Sequence, residues 1–179
     1  MFDSSPLENI DPDENYFGPA GPSIDGYGKY YSSGEYNDLV RNFNSKYFSI
    51  ITYNIRSFTA NQDTLFTLLD SLDSYPEVLV LTETWFTEDF KFQIEGYNGY
   101  HIVRGRNRRS GGVSVYVSKS FDSQILPEIT LINNYIEICS VKVKLGLEIW
   151  YLFGIYRPHS GTPEEFSQSL SEILDFPEV

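Results

Sequence analysis

Apolar positions along this chain change period several times. From Tyr47, the run YFSIITYNI is dense in β-branched and aromatic residues over strand length, which predicts a pleated, at least half-buried element. In the following TLFTLLDSLDSY, Leu65, Leu68, Leu69 and Leu72 recur at helical spacing, with Asn61 as N-cap and Asp63 in the first turn. Next, VLVL at 78–81 is a continuous apolar run, as expected of a strand covered on both faces. Strand, helix and strand in succession predict a βαβ-like unit with a parallel pair.

The second half alternates differently. VSVYV at 113–117, YIEICSVKV at 135–143 and EIWYLFGIY at 148–156 read as antiparallel strands. The last two are joined through KLGL, a hairpin whose turn Gly146 relaxes. TPEEFSQSLSEIL then predicts a helix, with Thr162 as N-cap, Pro163 in its first position and Glu165 closing a capping box. Phe166, Leu170, Ile173 and Leu174 mark its apolar face. Residues 1–45, rich in Asp, Gly, Pro, Ser, Asn and Tyr, show no sustained period and read as a flexible, extended acidic arm. The expected organisation is this arm followed by one α/β domain over 46–179.

Composition agrees with a folded domain: of 179 residues, 41% are hydrophobic and 16% aromatic. The formal net charge of −12 would repel a nucleic-acid backbone on average. The average hides a patch, because seven of the thirteen bases lie within 47–119. Four of them, Arg104, Arg106, Arg108 and Arg109, crowd into RGRNRR, which reads either as a solvated turn or as a grip for phosphates. The only cysteine, Cys139, cannot form an intramolecular disulfide. The first residues show neither a basic n-region nor an apolar h-region, and no apolar run approaches the roughly 20 residues a bilayer requires. The expectation is an intracellular protein, of cytoplasm or nucleus, with no signal peptide and no membrane partner.

Candidate chemistry centres on VLVLTETWF at 78–86, where an oily strand ends in Glu83. A charge at the carboxyl end of a buried strand sits at the sheet's rim, where α/β folds collect functional groups. It is costly there unless paired or bound to a cation. Asn54 ends the preceding apolar stretch in the same way. One Glu and one Asn oxygen suffice for Mg²⁺ or Mn²⁺, since hard divalent ions prefer oxygen ligands and Mg²⁺ in particular keeps several waters. The alternative is that Asn54 caps a turn and Glu83 pairs with Arg56.

Five blocks, YNIRSF at 53–58, VLVLTETWF at 78–86, RRSGGVSVYV at 108–117, YIEICSVKV at 135–143 and GIYRP at 154–158, together resemble the first half of the endonuclease/exonuclease/phosphatase superfamily. More narrowly, they resemble the endonuclease region of LINE-type, jockey-like non-LTR retrotransposons. The resemblance implies a partial four-layer α/β sandwich, with mixed sheet and flanking helices. It also implies that Glu83 ligates the catalytic magnesium, that Asn54 supports it, and that Tyr156 faces the scissile phosphate. Arg56, Arg157 and the RGRNRR arginines would meet the DNA backbone. Such enzymes nick target DNA to prime reverse transcription.

The same resemblance calls for a later Gly-Asp-x-Asn strand and a terminal Ser-Asp-His segment, and neither occurs in these 179 residues. His101 and His159 stand elsewhere and read as local. The expectation is therefore a truncated domain with little or no nuclease activity, exposing an inner sheet face through which it self-associates. A non-catalytic interaction module and a phosphatase-type hydrolase fragment are the competing expectations.

Overall fold

In the computed structural model, the described residues are 32–42, 48–105 and 110–175. Most of the expected arm, together with Arg106, Arg108 and Arg109, lies outside them. The chain divides into two units, Met1–Asn44 and Ser45–Val179. Within the first, one helix, α1 (Ser33–Asn42), replaces the expected extended chain. It is started by a reciprocal cap, in which the Ser32 backbone donates to Glu35 and the Glu35 backbone donates to Ser32 Oγ.

The second unit runs β1 (Ile50–Asn54), α2 (Phe58–Asp70), β2 (Val78–Thr82), β3 (Tyr97–Ile102), β4 (Val113–Ser118), β5 (Asp122–Ile125), β6 (Leu131–Ile132), β7 (Glu137–Leu145), β8 (Glu148–Tyr156) and α3 (Pro163–Leu174). One sheet has the order β1-β2-β4-β3, with β1 and β2 parallel and the other pairs antiparallel. In the other sheet β7 pairs along its full length with β8, and β5 and β6 share its opposite edge. The hairpin predicted around Gly146 is present as a two-residue turn with Gly146 at φ +63°.

Strand periodicity explains the layers. In β2, Leu79 and Leu81 face α2 and pack with Phe58, Leu65 and Leu69. Val78 and Val80 point the other way, onto Val113, Val115, Cys139, Val141 and Val143, so the two sheets share one core. Every residue of β2 is buried, as its unbroken apolar run predicts. On the far side of the second sheet, Ile136, Ile138, Phe153 and Ile155 pack under Phe166, Leu170 and Ile173 of α3. The result is helix, sheet, sheet, helix.

The inner sheet faces cover each other over β2, β4 and β7, while Ile50 and Thr52 of β1 and Trp150 of β8, in the same inward phase, stay exposed at the margins, and no contact supports the expected self-association. Two local readings also change. Helix α2 begins at Phe58 rather than after Asn61, because Arg56 and Ser57 take positive φ and turn the chain early. Asn61 then lies inside the helix and donates to the Ile55 and Arg56 carbonyls. Leu174 lies on the exposed side of α3 instead of on its apolar face.

The capping box of α3 forms as the sequence predicts, with Thr162 accepting from the Glu165 amide and Glu165 accepting from the Thr162 amide. The two sheets come close at Gly154, where an added Cβ would stand 2.8 Å from Val115 and 2.9 Å from Val113. Substituting Gly154 by Ala is expected to cost about 1–3 kcal/mol through overpacking. A lower urea midpoint with an unchanged slope would register it.

Candidate functional site

Parallel pairing sets Asn54 opposite Thr82 at the ends of β1 and β2, so the next residue, Glu83, emerges beside Asn54. Asn54 Nδ2 donates to Glu83 Oε1 at 3.0 Å, and its Oδ1 accepts the Arg56 backbone N–H at 3.2 Å. From the facing sheet, Tyr156 Oη donates to the same Glu83 Oε1 at 2.9 Å. Asn54 thus caps a turn, as one of its two readings expected, and also orients Glu83. Among the described residues, no hydrogen-bond donor reaches Glu83 Oε2.

Backbone geometry around this carboxylate is unusual. Arg56, Ser57, Glu83 and Trp85 all have positive φ without being glycine. The Glu83 carbonyl accepts the Ser57 N–H at 2.8 Å, and the Thr84 carbonyl accepts the Phe58 N–H at 3.0 Å, so the turns after β1 and β2 are tied together. Burial, the hydrogen bond to Glu83 and the nearby carboxylate charges push the Tyr156 phenol up to about 12. At neutral pH it keeps its proton and acts as a donor.

A second carboxylate, missed at the level of sequence, lies at the same rim. Glu137 has no exposed surface. It pairs with the Arg104 guanidinium through Nε, and its Oε2 accepts the Gly112 N–H at 2.6 Å. Burial pushes its carboxyl above the ordinary range, while the Gly112 N–H and Arg104 pull it back. The sequence did hold a signal, because Glu137 is in phase with Cys139, Val141 and Val143, the residues of β7 that face the first sheet.

The predicted phosphate-binding residues separate. Arg104 is buried against Glu137, and its Nη2 donates to the Asn133 carbonyl at 2.9 Å. Arg56 and Arg157 are exposed, next to Asn54 and Tyr156 in sequence. Arg106, Arg108 and Arg109 lie outside the described residues. Among the described residues, no three His, Cys, Asp or Glu side chains gather into a metal-binding group. The oxygen that suits a hard cation is the Glu83 carboxylate oxygen no described donor reaches; the Asn54 amide beside it turns Nδ2 to Glu83 and Oδ1 to the Arg56 N–H.

His101 is part of neither cluster. Its Nδ1 lies 2.9 Å from Ser114 Oγ, its ring packs edge-on to Phe86 and Tyr116, and its Nε2 has no partner. Burial, with Lys91 adding to it, lowers the imidazole to about 4. The unfolded chain, with His near 6.5, then binds more protons than the folded one between pH 6.5 and 4, so stability falls as pH drops through that window. His101→Gln is expected to flatten this slope in thermal melts across pH 4 to 7.

Asn54→Asp tests the contact with Glu83. The acid keeps the acceptor for the Arg56 amide but sets like charges together, at a cost on the order of 1 kcal/mol for a solvated pair. The melting temperature is expected to fall below wild type at pH 7 and to recover toward it once the carboxylates protonate.

Comparison with known proteins places these features in context. The sequence profile of the endonuclease/exonuclease/phosphatase family matches residues 51–174. Among curated protein sequences, none matches. Among solved structures, the AP endonuclease LMAP from Leishmania major superposes with a TM-score of 0.52 at 18% identity, covering 70% of this chain and 47% of that one. The endonuclease domain of TRAS1, a telomere-specific non-LTR retrotransposon, gives 0.49 at 12% identity, over 69% of this chain and 51% of that one. The catalytic domain of Xenopus laevis APE2 gives 0.45 at 20%, over 70% and 54%. The chain spans about half the length of the solved structures it matches.

Proposed function

The chain belongs to the endonuclease/exonuclease/phosphatase family, and from that premise we propose that it carries the metal-binding and DNA-phosphate-binding half of a retrotransposon-type endonuclease. The five sequence blocks support the narrower assignment. The observation that carries it is the convergence of Asn54 and Tyr156, from strands of different sheets, on one oxygen of Glu83.

Glu83, with Asn54 beside it, would hold the Mg²⁺ or Mn²⁺. A bound ion of this kind supplies Lewis-acid polarisation of a phosphodiester. The protein's own contribution is positional: Asn54 and Tyr156 each donate to one oxygen of the Glu83 carboxylate and so fix it, leaving the other oxygen for an ion. Arg56 and Arg157, with Arg106, Arg108 and Arg109, supply the positive charge for the DNA backbone, while Arg104 is engaged by Glu137 and the Asn133 carbonyl. Without Gly-Asp-x-Asn and Ser-Asp-His residues to orient water and stabilise the leaving oxygen, catalysis by these residues alone would be weak.

Titrating Mn²⁺ against the wild type and Glu83→Ala tests the metal role. At least a tenfold loss of affinity is expected in the variant, whereas a non-catalytic interaction module predicts no difference. Duplex DNA should be retarded in gels with an affinity that falls steeply with salt, and Arg157→Ala should reduce the slope by about one counterion. Salt-independent or absent retardation would favour a small phosphorylated substrate instead. Plasmid nicking in Mg²⁺ is expected to be slow or undetectable.

A further inference from the structure

Glu137 has no exposed surface and shares the inward face of β7 with Cys139, Val141 and Val143, yet both of its oxygens are spent on loops rather than on strands. Arg104 Nε meets Oε1, and the Gly112 N–H meets Oε2 at 2.6 Å. Gly111 and Gly112 take φ of +75° and +88°, a region that side chains disfavour. Space is closed there as well: a Cβ on Gly111 would collide with Glu137 Oε1, and one on Gly112 would stand 2.8 Å from Thr84 Oγ1. The glycine pair therefore lies flat between Glu137 and the segment that follows Glu83.

From that pair the connection continues outward. The Gly112 carbonyl accepts the Thr84 N–H at 3.3 Å, and the Gly111 carbonyl accepts the Trp85 N–H at 3.1 Å. Glu83 itself is held at φ +53°, and its carbonyl is bound by the Ser57 N–H at 2.8 Å. The Glu83 backbone is thus gripped on one side by the turn after β1 and on the other by the glycine pair. An apolar residue at 137 would fill the same space but leave the Gly112 N–H without an acceptor. Arg104, which also holds the Asn133 carbonyl at 2.9 Å, would then lose its counter-charge.

We infer that Glu137 is a positioning residue: with Arg104 it fixes the Gly111–Gly112 turn, and through the Thr84 and Trp85 amides that turn sets where the Glu83 carboxylate points. The first half of this statement concerns backbone geometry alone. Its consequence for a metal ion rests on the function proposed above.

The test uses the full chain with Glu137→Gln, which keeps the volume and an acceptor for Gly112 but removes the charge facing Arg104. Amide hydrogen exchange is followed at Thr84 and Trp85, with Leu79 and Leu81 in β2 as internal references. Mn²⁺ affinity is measured in parallel. The inference expects exchange at Thr84 and Trp85 to quicken at least tenfold relative to the references, and Mn²⁺ affinity to fall about 10- to 100-fold. Equal acceleration at all four amides would show a purely global contribution to stability and would overturn it, as would unchanged exchange. If the wild type fails to bind Mn²⁺, the metal reading falls while the exchange result still decides the role of Glu137. Should Glu137→Gln lack native spectra, Arg104→Lys takes its place with the same readouts, because an ammonium cannot span Glu137 and Asn133 together.

Discussion

Parallel pairing of β1 with β2 is the constraint from which the site follows. Two parallel neighbours end at the same rim, and their register sets Asn54 opposite Thr82 with Glu83 one residue beyond. An antiparallel pair would have sent the two side chains to opposite ends of the sheet. The connection needs a crossover, which α2 provides, and α2 in turn covers the face that Leu79 and Leu81 present. Tyr156 joins from the other sheet only because the sheets close upon each other, with Gly154 leaving no room for a side chain between them.

Two carboxylates, Glu83 and Glu137, share this rim. Glu83 and Glu137 lie close enough for each to feel the other, and among the described residues only Arg104 is drawn in with a buried opposite charge. Raised proton affinities at Tyr156 and Glu137 are the expected response of a crowded acidic site with little water. A cation beside Glu83 would ease the same repulsion without a proton.

How far the sequence revealed this depended on the kind of signal. Long apolar periods gave β2, β4, β8 and α3 nearly to the residue and β7 displaced by two at each end, and the Thr162–Glu165 box gave the start of α3. Strand β3, YNGYHI, passed unnoticed because its residues are mostly polar or small and it owes its place to pairing with β4. The two-residue β6 and the polar β5 carry even less local pattern. Asn54 and Glu83 were legible because each terminates an apolar strand, whereas Tyr156 came only from the resemblance of GIYRP. Glu137 was passed over although it shares the phase of Cys139, Val141 and Val143, since the other phase, Ile136, Ile138, Ser140 and Lys142, is also partly apolar and the inward face is fixed only by the facing sheet. The early turn before α2 also escaped notice, because positive φ at Arg56 and Ser57 has no signature in residue types that normally avoid it.

Those left-handed residues have a wider consequence. Each non-glycine held at positive φ costs on the order of 1 kcal/mol or more, and four of them fall within the two turns that carry Asn54 and Glu83. A chain selected only for durability would place glycine at such positions and relax. Retaining side chains there keeps the turns taut, so the rest of the sandwich acts as the spring that holds one carboxylate in a conformation its own backbone resists.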